Sequence, residues 1–310
     1  MGAKTGITWT DSTWNPVTGC TPVSAGCDNC YAARYAKRGM GDFGIKYLPL
    51  TGEELGTRKF SEIRLHPDRL EIPLRWRKPR RIFVCSMGDP FHEGVPTDFQ
   101  ELVFRTMISA SQHAFQVLTK RAFAMQAAIP VIMHRICGPH WAMPTNIWLG
   151  VTAENQAAWN ERVPLLQQTP AAIRFVSCEP LLGPIYSRDL RTQSVDWVIC
   201  GGESGPNARP MHPDWARSLR DQCVAARVPF HFKQWGEWAP VPNGEESATP
   251  HNGYVRPYPE AKYDYDNGYC KSARTLEAEG FANMQCIGKH AAGRLIDGRE
   301  WLEFPKEIPA

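Results

Sequence analysis

The chain has 310 residues, 43% hydrophobic and 22% charged, and a formal net charge of +3 from 35 basic and 32 acidic residues. That is ample apolar material for a large core, and it excludes a disordered chain. So small a net charge neither demands nor rules out a nucleic-acid partner; only a local basic patch bears on that question. The N-terminal Met1-Gly-Ala-Lys-Thr-Gly-Ile-Thr-Trp9 holds no apolar run of signal-peptide length. Gly6 stands where a myristoylation signal wants Ser or Thr, and no stretch approaches a membrane span. The expectation is a soluble cytoplasmic protein without a membrane partner. There, clustered cysteines are metal ligands or reactive thiols rather than disulfides.

In chain order, residues 1–19 are rich in Thr, Trp and Gly, and Trp14-Asn-Pro16 leads into a loop carrying Cys20, Cys27 and Cys30. A helix is expected from Tyr31 to Arg38, ended by Gly39. Residues 39–79 read as loop-rich and basic. Short apolar runs of buried-strand character then begin at Ile82, Phe115, Ile147, Arg174, Trp197 and Phe230. Their starts recur every ~30 residues, the length of a βα unit. Helical patterns lie between several of them. Asp98–Ser111 offers Leu102, Val103, Met107 and Ile108 on one face; Gln156–Gln168 offers Trp159, Val163 and Leu166; Asp214–Ala226 offers Trp215, Leu219 and Val224, with Asp214 as its cap. The fold class expected is α/β: a full or partial (β/α) barrel of about six βα units, with a doubly wound open sheet equally compatible with the periodicity. Residues 1–238 would form the barrel, with the cysteine loop at 18–31. Residues 239–310 would form a Pro-, Gly- and Tyr-rich lid-like excursion and a C-terminal segment packed back on the body.

Each expected strand ends in polar groups: Cys85-Ser86-Met-Gly-Asp89, Thr119-Lys120-Arg121, Thr152-Ala-Glu154, Cys178-Glu179, Gly201-Gly202-Glu203 and Lys233-Gln234. In (β/α) barrels that rim builds the active site. The amides of the Gly201–Gly205 loop suit a carboxylate or a ribose, although a tight βα turn has the same composition.

The cysteine spacing is Cys-x6-Cys-x2-Cys. A structural zinc ion wants four closed ligands. Here there are three; His66 or His92 could supply a fourth, but neither sits in a ligand-like pair. A four-iron cluster on three cysteines leaves one iron open to a cofactor. Iron–sulfur is the favoured reading of the spacing and zinc the alternative.

A three-cysteine loop ending Cys-x2-Cys-aromatic and leading into βα units resembles the radical S-adenosylmethionine (SAM) superfamily, whose usual first gap is three residues rather than six. More closely, Trp14-Asn-Pro-Val-Thr-Gly-Cys20, Ser86-Met-Gly-Asp89-Pro-Phe91, Ser177-Cys-Glu-Pro-Leu-Leu-Gly-Pro184, Gly201-Gly-Glu-Ser-Gly205 and Ala292-Gly-Arg-Leu-Ile-Asp-Gly298 are similar to an uncharacterised phage- and prophage-associated family of three-cysteine-motif proteins, placed near spore photoproduct lyase. The likeness runs from about Ile7 to Pro305.

The resemblance implies that Cys20, Cys27 and Cys30 hold a [4Fe–4S] cluster and that SAM chelates the open iron. One electron, from a donor such as flavodoxin or ferredoxin, would cleave SAM to methionine and a 5′-deoxyadenosyl radical that takes a substrate hydrogen. By position, Tyr31 would pack by the adenine, and Ser86 and Asp89 would hold the SAM amino group. Thr119, Lys120, Thr152 and Glu154 would serve the carboxylate and ribose, and Gly201 and Gly202 would pass under the adenine. Cys85 would return a hydrogen atom to a substrate radical, as a cysteine does in spore photoproduct lyase. Strand alternation lets Cys85 or Ser86 face inward, not both.

The phage association points to a nucleic-acid base or nucleotide, handled by a lyase or a base-modifying enzyme. The run Arg75-Trp-Arg-Lys-Pro-Arg-Arg81 could meet phosphates and stack a base, or be a solvated loop. The rival from another class is a non-catalytic, zinc-stabilised nucleic-acid-binding protein. A SAM-dependent methyltransferase would not need the three thiolates.

Overall fold

A computed structural model describes residues 5–44, 58–187, 190, 194–241, 252–255 and 282–306. Most of the expected excursion over 239–272, Cys270 included, lies outside the described residues. The chain divides into two compact units: Met1–Val151 with Pro164–Arg174 and Glu307–Ala310, and Thr152–Val163 with Phe175–Lys306.

The first unit carries β1 (Ser12–Trp14), β2 (Val17–Thr18), α1 (Tyr31–Lys37), β3 (Arg64–Leu65), β4 (Arg81–Val84), α2 (Thr97–Ser109), β5 (Ala114–Thr119), α3 (Ala122–Cys137) and β6 (Ile147–Thr152) up to Val151. Strands β1, β4, β5 and β6 run parallel in that order, with Trp14 beside Val84, Val84 beside Val117 and Val117 beside Leu149. All six β6 residues are buried, as expected of parallel strands covered on both faces. The first strand escapes the sequence pattern because three residues hold no readable period. What makes it a strand is pairing: Trp14 is fully buried, donates its Nε1–H to the Arg69 carbonyl at 2.8 Å and meets Phe115 edge-on.

The second unit carries the start of α4 (Gln156–Gln168), then β7 (Ile173–Cys178), β8 (Trp197–Gly201), α5 (Pro213–Ala226), β9 (Phe230–Gln234), β10 (Trp238–Pro240), β11 (Asn252–Val255), β12 (Ala282–Cys286), α6 (Lys289–Ala292), β13 (Leu295–Ile296) and β14 (Arg299–Glu300). Strands β7, β8 and β9 are parallel neighbours. The C-terminal residues lie along β9: Phe232 donates to the Trp301 carbonyl at 2.7 Å, and the Trp197 indole donates to the Glu303 carbonyl at 2.9 Å. In both units, parallel strands interleaved with helices make the fold mixed α/β. Among the described residues, no helix is long and apolar enough to cross a membrane.

The expectations for α2 and α5 need correction, and α3 was not anticipated. The buried face of α2 is Phe99, Val103, Phe104 and Met107, while Leu102 is 46% exposed. On α5, Cys223 is buried where Val224 was expected, and the cap is His212, whose Nδ1 accepts the Asp214 amide at 3.1 Å. Helix α3 is absent from the sequence reading because it is apolar nearly all round and carries Pro130, which has no amide to donate. Its buried residues, Met125, Ile129, Ile132 and Met133, nonetheless keep helical spacing.

The segment entering the cysteine loop passes very close to the residues after β4. Gly19 and Gly88 form a parallel bridge, and Gly19 donates to the Met87 carbonyl at 2.9 Å. Gly19 has φ +98°, and a Cβ there would stand 2.4 Å from the Glu62 carbonyl oxygen. Gly19→Ala is therefore expected to destabilise the protein by about 1–3 kcal/mol through backbone strain, with the overlap adding to it. Gly6→Ala, with nothing within 4 Å of its Cβ, should leave the urea midpoint in place. Equal midpoints for both variants would remove this close approach as a constraint.

Candidate cofactor site at the cysteine loop

The loop is shaped by its own backbone. After Gly19, the Cys20 amide donates to the Phe60 carbonyl at 2.9 Å. A 3₁₀ turn, Ala25–Cys27, follows, closed by the Cys27 amide on Ser24 at 2.8 Å, and the Cys30 amide bonds the Cys27 carbonyl at 3.2 Å. Cys30 then stands at the N-cap of α1, its carbonyl accepting from Arg34 at 3.1 Å. All three thiols are free and half-buried. Burial, helped by Asp89, pushes the Cys20 thiol up to about 11. Cys20 is thus a neutral thiol at neutral pH, and a metal would have to displace its proton to bind there.

Arg121, just past β5, ties this loop to the strand ends. Its Nη1 donates to the Cys20 sulfur at 3.4 Å and to Asp89 at 3.3 Å; its Nη2 donates to the Thr21 hydroxyl at 2.9 Å and carbonyl at 3.2 Å; its Nε donates to Glu93 at 3.2 Å. The Arg121 and Asp89 side chains are 10% and 6% exposed. Asp89 also accepts the Thr119 hydroxyl at 2.8 Å, the Phe91 amide at 2.9 Å and the Lys120 amide at 3.3 Å. The structure so brings Cys20, Asp89, Thr119 and the Lys120 backbone together, with the Asp89 carboxylate already engaged by the protein. Sequence reasoning placed Arg121 at the strand end without giving it a role; the signal was its position directly after Thr119-Lys120.

Cys85 follows the last β4 residue with φ 58°, a left-handed conformation uncommon outside glycine. This breaks the strand alternation. Cys85 is 2% exposed, while Ser86 is half-buried, its hydroxyl on the Asn15 side-chain oxygen at 3.1 Å. The same oxygen accepts the Met87 amide at 3.0 Å. Burial drives the Cys85 thiol far up, and the charges of Asp89 and Cys20 act in the same direction. Tyr31 is 52% exposed, and its hydroxyl donates to the Ser86 carbonyl. Asn15, like Arg121, is a position at this loop to which the sequence reading gave no role.

Neither histidine considered as a fourth zinc ligand points free. The His66 Nε2 bonds the Thr18 hydroxyl at 2.8 Å, and the His92 Nε2 bonds the Thr21 hydroxyl at 2.9 Å. Among the described residues, no three His, Cys, Asp or Glu side chains are grouped as a single metal ion would need. The cysteines of a four-iron cluster bind three different irons and so stand further apart than the ligands of one ion. Three free thiols on one turn-rich loop match the chemistry of such a donor set.

The remaining candidates belong to the second unit. The Thr152 carbonyl and the Glu154 carboxylate both accept from Arg162 Nη1, at 2.8 and 2.9 Å; Glu154 and Arg162 are 1% and 3% exposed. A Cβ on Gly201 would meet Glu179, and one on Gly202 would lie 1.8 Å from the Trp235 carbonyl oxygen. The bare backbone at Gly202 is therefore required by the crossing of Trp235–Gly236. Glu203, buried, takes a fork of bonds from Arg209, at 2.9 Å from Nε and 2.6 Å from Nη2. The basic run contributes less than its composition suggests. Arg81 pairs with Asp11 and the Arg80 guanidinium lies 4.7 Å over the Trp76 ring, while Arg75, paired with Glu71, Arg77 and Lys78 are exposed.

A family model described as protein of unknown function (DUF5131) matches residues 4–305. No curated protein and no solved structure matches the chain.

The His66 ring is pressed down to about 4, by burial first and then by Arg69 and Arg64, against the opposing Asp42. Its folded value lies below its unfolded value of about 6.5. The neutral ring's contribution is therefore fully present above about pH 6.5 and is lost as pH falls toward 4. The urea midpoint of wild type is expected to fall more than that of His66→Gln between pH 7 and pH 4. Parallel pH profiles would contradict this.

Proposed function

We propose that this chain, which belongs to the family of unknown function DUF5131, is a radical SAM enzyme of the kind related to spore photoproduct lyase. The observation that carries the reading is the set of three free, half-buried thiols on one loop, with Cys20 bonded to Arg121 beside the ends of β4 and β5. Cys20, Cys27 and Cys30 would hold a [4Fe–4S] cluster. Such a cluster would supply the one-electron chemistry that cleaves bound SAM.

The chain's own residues position and protect. Tyr31, anchored through its hydroxyl, offers a ring beside the last ligand for the adenine to pack on. Ser86, held by Asn15, and Asp89, which fixes Thr119 and Arg121 in place, stand where the polar end of SAM would lie. Thr152, Glu154, Gly201 and Gly202 stay outside this set: Glu154 is taken up by Arg162, and Trp235 fills the space at Gly202. Cys85 is a buried, protonated thiol, the state needed to pass a hydrogen atom to a substrate radical and remain as a thiyl. The substrate class proposed is a nucleic-acid base or nucleotide, the electron donor a flavodoxin or ferredoxin, and the location the cytoplasm. A base within duplex DNA would have to leave the stack to reach such a site.

Anaerobic purification should yield brown protein absorbing near ~400 nm, with iron and sulfide, that releases 5′-deoxyadenosine from SAM and dithionite. Zinc in place of iron after reconstitution, or no 5′-deoxyadenosine, would overturn the reading. Cys27→Ala should lose cluster and SAM cleavage together. Cys85→Ala should keep both, since its thiol is assigned to the substrate radical and not to iron; loss of iron from this variant would reassign it.

A further inference from the structure

The contacts of Arg121 carry an inference that rests on the cluster reading and goes beyond it. We propose that Arg121 is the positioning residue that sets the reduction potential of the cysteine-loop cofactor, acting through the Cys20 sulfur and moderated by Asp89.

The geometry comes first. Arg121 donates an N–H to the sulfur of Cys20 at 3.4 Å. Its other bonds, to Asp89, Glu93 and both oxygens of Thr21, fix the guanidinium so that it stays aimed at that sulfur. Thr21 is itself held by His92 at 2.9 Å. Asp89 in turn is fixed by Thr119 and by the amides of Phe91 and Lys120. No comparable side-chain donor to the sulfurs of Cys27 or Cys30 is seen among the described residues. One of the three ligands therefore carries a cationic donor.

The chemistry follows from charge. A cluster that accepts an electron becomes more negative, and its sulfurs become better acceptors. A cationic N–H on a ligand sulfur stabilises the reduced form more than the oxidised one and raises the potential. Asp89, 3.3 Å from the same Nη1, offsets part of the positive charge and lowers it again. The two residues thus oppose each other at one sulfur. A role confined to folding has no such pair of signs.

Reduction potentials of the reconstituted holoprotein, followed by electron paramagnetic resonance in a dye-mediated titration, provide the test. Arg121→Met is expected to lower the potential, with the one-electron equilibrium shifted about tenfold, or ~59 mV. Asp89→Asn is expected to raise it. Arg121→Lys, which keeps the charge and loses the fork, should fall between wild type and Arg121→Met; it also serves if the Met variant fails to fold. Arg105→Met, on an exposed i,i+4 pair of α2, should leave the potential in place. Potentials unchanged in the Arg121 variants, or shifted in the same direction by the Arg121 and Asp89 variants, would overturn the proposal while leaving the cluster intact. Wild-type protein without iron and sulfide would instead overturn the cluster reading, and this inference with it.

Discussion

The cysteine loop depends on a backbone contact that tolerates no side chain. Gly19 and Gly88 bridge directly, and Gly19 sits at φ +98° against the Glu62 carbonyl. Everything downstream takes its position from that contact. Cys20 follows Gly19 immediately, and Asp89 follows Gly88. Two residues distant in sequence are brought side by side because each follows a glycine in the bridge. Arg121 then closes the arrangement from β5, bonding both Cys20 and Asp89. A loop with few apolar residues cannot be held by burial alone, and here hydrogen bonds to neighbouring carbonyls take that role.

Carboxylates at strand ends recur with an arginine partner. Asp89 has Arg121, Glu154 has Arg162 and Glu203 has Arg209, all three carboxylates at most 6% exposed. A carboxylate so far from water needs a partner, because an unpaired buried charge costs several kcal/mol (roughly 3–5). These pairs are weak evidence of net stability, since a hydrophobic replacement could serve as well. Their consequence is orientation. Each fixes a polar group in a single geometry, and around Cys20 that geometry aims a cation at a sulfur.

Cys85 shows how local backbone decides chemistry. An extended residue at this point would hand the inward position to one neighbour and the outward position to the other. The left-handed turn at Cys85 instead buries its thiol and turns Ser86 toward Asn15. A buried thiol is a poor nucleophile and a poor metal ligand, and it retains the S–H that a hydrogen-atom donor requires.

The strands of this protein were legible because parallel strands buried on both faces are written as continuous apolar runs. The observed β4 to β9 begin within one residue of the positions expected at 82, 115, 147, 174, 197 and 230. The cysteine loop was legible because three cysteines in eleven residues are visible without a fold. The first strand and α3 were not, one being too short to show a period and the other too apolar to show a face. Nor were Asn15 and Arg121 as partners of the site, because no spacing connects residue 20 to residue 121. Local sequence determined which segments became strands and where thiols were concentrated, since hydrophobic period and residue type are local properties. Which charged group faces which sulfur was decided only by the tertiary structure, because that depends on parallel strands placing their C-terminal ends side by side.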